Sequence, residues 1–160
     1  MKSLLLGLVS FVAVPCLAGD VQYAPGGKTF AKAWNEFYTS FHEPDIDDPL
    51  INRGSSMIPF ICAAIRHKDM DRRRYAIAAL GQMKEKKIIP FLEMILKDTT
   101  EKAYFREDAL HSIYRLDQEL GYRYAQEYKD ADMKWVTEAI LSRDPEFLEP
   151  TQEAEPMKIE

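Results

Sequence analysis

Residues 58–83, IPFICAAIRHKDMDRRRYAIAALGQM, are echoed by residues 89–116, IPFLEMILKDTTEKAYFREDALHSIYRL. Ile58-Pro59-Phe60-Ile61 recurs as Ile89-Pro90-Phe91-Leu92, 31 residues later. After each start the apolar residues keep helical spacing: Ile58, Ile61 and Ile65, then Ile89, Leu92 and Leu96. Pro59 and Pro90 suit a first helical turn, where the missing N–H is not needed. Polar turns follow, Lys68-Asp69-Met70-Asp71 and Lys97-Asp98-Thr99-Thr100. A second helix then carries Arg73, Ala76, Leu80 and Met83 in the first copy, and Arg106, Ala109, Ile113 and Leu116 in the second. The offset has grown to 33, so the second turn is two residues longer. One helix pair cannot bury its apolar stripe alone, so tandem pairs of about 30 residues predict stacking on one another. Ala76, Ala79 and Ala109 leave room for close helix approach.

Outward from the two copies, Phe30, Trp34, Phe37 and Phe41 form one helical face with Thr29 as N-cap, which predicts an N-terminal capping helix from Thr29 to His42. A stripe of this kind faces a core more often than a ligand. Leu120, Tyr124, Tyr128 and Trp135 keep one face through a helix broken near Lys129-Asp130, so Glu119 to Ser142 is expected to cap the other end. Residues 19–28, with Pro-Gly-Gly, are expected to be a flexible leader, and residues 144–160, acidic and with Pro145, Pro150 and Pro156, a disordered tail. No strand-like alternation occurs.

The pattern Ile-Pro-Phe, a polar turn with Asp, then Arg-x-x-Ala-x-x-x-Leu-Gly resembles HEAT-like repeats, in the short form also found in phycobilisome-lyase-type proteins. It is carried by Ile58, Pro59, Asp69, Arg73, Ala76, Leu80 and Gly81, then by Ile89, Pro90, Asp98, Arg106, Ala109 and Ile113, within about residues 57–117. Gly81 is replaced by Tyr114 in the second copy. The resemblance implies an all-α fold, a short right-handed α-solenoid of helix pairs over residues 29–143 that binds other proteins. It further implies that Asp69 with Arg73, and Asp98 with Arg106, hold neighbouring repeats together.

Charge is uneven along the chain. Residues 66–87 hold eight basic and three acidic side chains, whereas residues 101–160 hold eight basic and fifteen acidic. The stretch RRR at 72–74 and the lysines 84, 86 and 87 suggest a nucleic-acid patch, but the net charge of −5 opposes general nucleic-acid affinity. A solvated surface is the simple reading of this polarity, and a patch that steers an acidic partner, or the chain's own tail, is the sharper one.

The first residues, MKSLLLGLVSFVAVPCLAGD, combine Lys2, the 11-residue apolar run Leu4 to Val14 and small residues before Gly19. They predict a secretory signal peptide, residues 1–18, cut after Ala18, and hence a periplasmic or secreted protein of a double-membraned bacterium. Lipidation of Cys16 is the alternative, which Pro15 disfavours. Removal of the signal leaves Cys62 alone, with no internal disulfide, in apolar surroundings that suit a buried thiol. No later run is long and apolar enough to suggest membrane insertion.

No reaction centre is legible. His42, His67 and His111 are scattered, no zinc-ligand spacing exists, and Gly54-Ser55-Ser56 is not a nucleophile elbow. Acidic residues 43, 45, 47 and 48 lack the glycine and glutamate of a calcium loop. No cofactor or metal is therefore expected, and the chain is expected to be a non-enzymatic module that binds another protein. Positions on the second helices that point away from the apolar stripe are the candidate contacts: Arg74, Tyr75, Gln82, Glu107, His111 and Arg115. Two alternatives remain, an inhibitor or immunity protein masking a basic enzyme, and a helical enzyme with a site the sequence does not reveal.

Overall fold

The computed structural model describes residues 22–39, 48–129 and 132–144, and among them it is all-helical, with no β-strand. Seven α-helices run α1 (Lys28–Thr39), α2 (Ile58–Ile65), α3 (Arg73–Gln82), α4 (Ile89–Lys97), α5 (Ala103–Leu116), α6 (Gln118–Glu127) and α7 (Lys134–Ser142). Short 3₁₀ segments, Ile51–Met57 and Lys86–Ile88, lead into α2 and α4. Residues 1–18, Phe41, the acidic positions 43, 45 and 47, and residues 145–160 lie outside the described residues.

The two sequence copies become α2–α3 and α4–α5. Pro59 and Pro90 sit in the first turns of α2 and α4, where their rings set φ at no hydrogen-bonding cost. The apolar stripe of each first helix is buried: Ile58, Ile61 and Ile65, then Ile89, Leu92 and Leu96. They join Ala76, Ile77 and Leu80 of α3 and Ala109, Leu110 and Ile113 of α5 in one core. The longest helix, α5, is central, packing on α3, α4, α6 and α7. The turn between α2 and α3 is less polar than its sequence, since Met70 inserts into the core.

At the N-terminal end, α1 begins at Lys28 after Gly26 and Gly27, both at positive φ, so Thr29 lies inside the helix and is not its cap. Trp34 and Phe37 are fully buried, while Phe30 rests half-buried against Phe60 at 4.7 Å. The last residues of the expected leader are held in place. The Tyr38 hydroxyl accepts from Tyr23 N and donates to Tyr23 O, and Trp34 Nε1 donates to Pro25 O. Asp48 is buried, and its Oδ1 accepts from Leu50 N at 2.7 Å and Ile51 N at 3.3 Å, a local turn that leads into the following 3₁₀ segment.

Two glycines set the closest helix crossings. A Cβ on Gly81 of α3 would lie 2.8 Å from Ser112 Cα on α5. A Cβ on Gly121 of α6 would lie 2.5 Å from Tyr114 Cα, also on α5. Tyr114 is the residue that replaces Gly81 in the second copy, so the helix that follows supplies the missing space through its own glycine. Of the expected C-terminal stripe, α7 buries Val136, Thr137 and Ile140, whereas Trp135 is 65% exposed, one position off that face.

Gly121→Ala is expected to destabilise the protein by about 1–3 kcal/mol through overpacking, although alanine favours a helix interior by about 1 kcal/mol. A urea midpoint that falls with unchanged slope would bear this out. A midpoint that stays or rises would show that α5 and α6 do not cross at this distance.

Candidate functional site

The basic stretch that looks like a ligand patch is engaged by the next helix pair. Arg73 opens α3 and is buried. Its Nε donates to Ile65 O, at the end of α2, at 2.7 Å. Its Nη1 and Nη2 donate to the two carboxylate oxygens of Glu101 at 2.9 and 2.7 Å, and its guanidinium lies 4.5 Å from the Phe105 ring centroid. The planar fork is thus satisfied on its edges and covered on its face. The Arg73 hydrogen bonds hold the Glu101 carboxyl below its usual range against the opposing effect of burial.

Arg106 repeats the arrangement one copy later. Its Nε donates to Leu96 O, at the end of α4, at 2.9 Å, and its guanidinium lies 5.6 Å from the Tyr128 ring. Its Nη1 is 3.8 Å from Asp132, two residues before α7, as Glu101 is two residues before α5. The fourth residue of α7, in register with Arg106 in α5, is Thr137, whose hydroxyl bonds back to Met133 O and Lys134 O. The series of arginines therefore ends at α7.

These contacts correct the pairs expected for the two aspartates. Asp69 accepts from the hydroxyl of Tyr23, whose ring stacks on His67 at 3.7 Å. Asp98 accepts from Thr100 N, Thr100 Oγ1 and Lys68 Nζ. The Thr100 hydroxyl and then Lys68 hold its carboxyl well below the usual range. The arginines instead take carboxylates from the following unit, which local turn motifs do not reveal. Their sequence signal is an acidic residue two positions before the next helix.

Further links have the same stride. Ser55 donates to Glu85, Lys68 pairs with Asp98, Arg74 with Asp108, and Lys86 with Asp117, and Tyr124 donates to Glu93. Their separations are 30 to 34 residues, one copy length. Asp117 also caps α6 by accepting from Leu120 N at 3.1 Å. The basic middle and the acidic C-terminal third are thus matched internally to a considerable extent.

Of the six candidate contact positions, two are exposed. Tyr75 projects at 47%, and Arg74 is exposed while its fork holds Asp108 at 2.7 and 2.8 Å. Gln82, at the end of α3, is half-buried, and so are Glu107, His111 and Arg115, because α5 is covered by helices on several sides. Glu107 lies near Asp108 and Asp132, and its carboxyl is raised by burial first and then by those two charges. Burial likewise raises Asp108, with Arg74 acting in the other direction. Exposed Met94 and Trp135 were not among the expected contacts.

Cys62 is half-buried, and burial pushes its thiol up to about 11, so little thiolate exists near neutral pH. Among the described residues no three His, Cys, Asp or Glu side chains are grouped to hold a metal ion, and no helix is long and apolar enough to cross a membrane. Comparison with protein-family models, curated proteins and solved structures finds no match to this chain.

Glu101→Gln is expected to cost about 3 kcal/mol near pH 7 by leaving the buried Arg73 charge uncompensated. A carboxyl whose pKa is lower in the folded than in the unfolded chain adds stability that is complete above the unfolded value, about 4.3. That stability is lost as pH falls through the folded value. The gap between wild type and variant in urea titrations should therefore be widest above about pH 5 and close as the pH drops below about 4. A gap independent of pH would contradict this assignment.

Proposed function

We propose that the chain is an exported, HEAT-like α-solenoid that works by binding another protein, with no reaction of its own. Its contacts lie on exposed residues of the second helix of each pair, with Arg74 and Tyr75 on α3 and Trp135 on α7. The observation that carries this is the repeated arginine: Arg73 and Arg106 each tie the end of their own first helix to a carboxylate in the next unit. A stack of equivalent pairs joined only to their neighbours is the physical definition of a solenoid, whose long surface is what such proteins use. On this reading α1 covers one end, and α6 with α7 forms a third, terminal unit.

Binding is favoured over catalysis by the fate of the perturbed carboxyls. Hydrogen bonds from Thr100 and then Lys68 lower Asp98, those from Arg73 lower Glu101, and burial raises Asp108 against its pair with Arg74, so each shift has a structural cause. Export is supported by the sequence of residues 1–18 alone. Exposed aromatics, such as Tyr75 and Trp135, are the residue types enriched at protein interfaces.

A photoreactive residue placed at 75 or 135 of the full chain, in cells that make it, is expected to give one discrete protein adduct in the envelope fraction. The same residue at exposed Pro59 or Pro90, on the first helices, should give none. Adducts from 59 and 90 with none from 75 and 135 would contradict the proposed face.

A further inference from the structure

Residues 23–25, just before α1, are held as a bound peptide would be. The Tyr38 hydroxyl reads both main-chain groups of Tyr23, accepting from its N–H at 2.9 Å and donating to its carbonyl at 2.8 Å. Burial pushes that hydroxyl up to about 12, so it keeps the proton it donates. Trp34 Nε1 donates to Pro25 O at 2.8 Å. These bonds go to backbone, which any extended segment can offer. In peptide recognition such bonds supply affinity, and seats for side chains supply selectivity. A side-chain seat is present as well. The Tyr23 ring stacks on His67 at 3.7 Å, with 9° between the planes, and its hydroxyl donates to both carboxylate oxygens of Asp69 at 3.1 Å.

Burial separates the holder from the held. Trp34 is 1% exposed and Tyr38 6%, whereas Gln22 and Ala24 are exposed and Tyr23 and Pro25 only half-buried. The segment therefore lies on the helices, and it can leave without any helix unpacking. Its link to α1 is Gly26-Gly27, both at positive φ, a backbone region that glycine enters freely. When the segment leaves, a buried hydroxyl and a buried indole N–H lose these partners, so replacement is favoured over vacancy.

We propose that Trp34, Tyr38, His67 and Asp69 form a binding site for an extended Tyr-x-Pro segment of the partner protein, and that residues 23–25 occupy it in cis as a built-in competitor. This rests on the protein-binding reading above and names the chemistry the partner brings to the end of the stack that α1 covers. A tethered competitor acts at an effective concentration on the order of 1 mM. The site therefore opens to a segment that a partner, docked elsewhere on the chain, delivers at a comparable local concentration.

The test follows the Trp34 indole N–H signal of the full chain by proton–nitrogen NMR, assigned with Trp135→Phe. Tyr23→Ala removes the ring stack and the Asp69 bond of the cis occupant, and the signal should leave its wild-type position. The capped peptide QYAPGG, the sequence of residues 22–27, should return it saturably and bind this variant about tenfold more tightly than wild type. A peptide with phenylalanine in place of tyrosine should bind a few-fold more weakly, and one with alanine there not measurably. Adding His67→Ala to Tyr23→Ala should weaken QYAPGG several-fold. Circular dichroism checks that every variant is folded; should Tyr23→Ala unfold, Tyr23→Phe, which keeps the ring, carries the same titration with a gain of a few-fold. No recovery of the signal, equal binding of the tyrosine and alanine peptides, or equal binding to wild type and variant would overturn the proposal. A wild-type dimer that Tyr23→Ala abolishes would overturn it too, by assigning the seat to exchange between two copies. If QYAPGG fails while adducts still form from positions 75 or 135, this seat alone is wrong; if the adducts are absent too, the protein-binding reading also falls.

Discussion

A guanidinium out of contact with water must satisfy several N–H donors and keep its charge compensated, or it destabilises the fold by several kcal/mol. Arg73 meets that constraint with groups from three places: the end of α2, the turn before α5 and a ring of α5. None of these is adjacent to it in sequence. The requirements of one buried cation therefore fix how the first helix pair meets the second, and Arg106 imposes similar geometry on the second pair and the segment before α7. The apolar seams supply most of the driving force for packing, but they are forgiving about register. A bidentate pair is not, because a shift of one helical turn would leave a charge unpaired.

Close approach is the second condition. Arg73 can span to Glu101 only if α3 and α5 lie near each other, and Gly81 against Ser112 provides that nearness. The Ser112 hydroxyl then donates to Ile77 O, which marks the same crossing with a hydrogen bond. At the next interface the glycine has moved to α6, and Tyr114 fills the position that Gly81 holds in the first copy. The α5–α6 contact is thus built from different residues and still brings the two backbones together. Around these crossings the exposed pairs Lys86–Asp117 and Lys68–Asp98 contribute little stability individually, and of the charge that resembles a nucleic-acid patch Arg73, Arg74 and Lys86 are held by carboxylates of the next unit.

The helices were legible because their apolar residues recur with the period of an α-helix and because Pro59 and Pro90 mark two starts that proline tolerates only there. The repeat was legible because the same pattern occurs twice. Partners across the interface were not, since Glu101 and Asp108 are chosen by three-dimensional proximity, and the nearer aspartates, Asp69 and Asp98, are taken up by Tyr23 and by Lys68 with Thr100. Asp48 looked like one more charge in an acidic loop, and its burial depends on two backbone N–H groups that composition cannot reveal. Trp135 was misplaced on a buried stripe because the break between α6 and α7 resets the helical phase. The candidate contacts on α5 were assigned to an open face, but α5 is the central helix, so Glu107, His111 and Arg115 are half-covered.

The central claim is that Arg73 and Glu101 act as one unit joining successive helix pairs. A double-mutant cycle with Arg73→Met, Glu101→Gln and the double variant, read by urea unfolding near pH 7, tests it directly. A coupling energy of about 2 kcal/mol, with the double variant far more stable than the two single losses would sum to, is the predicted result. Losses that add to within about 0.5 kcal/mol would contradict it.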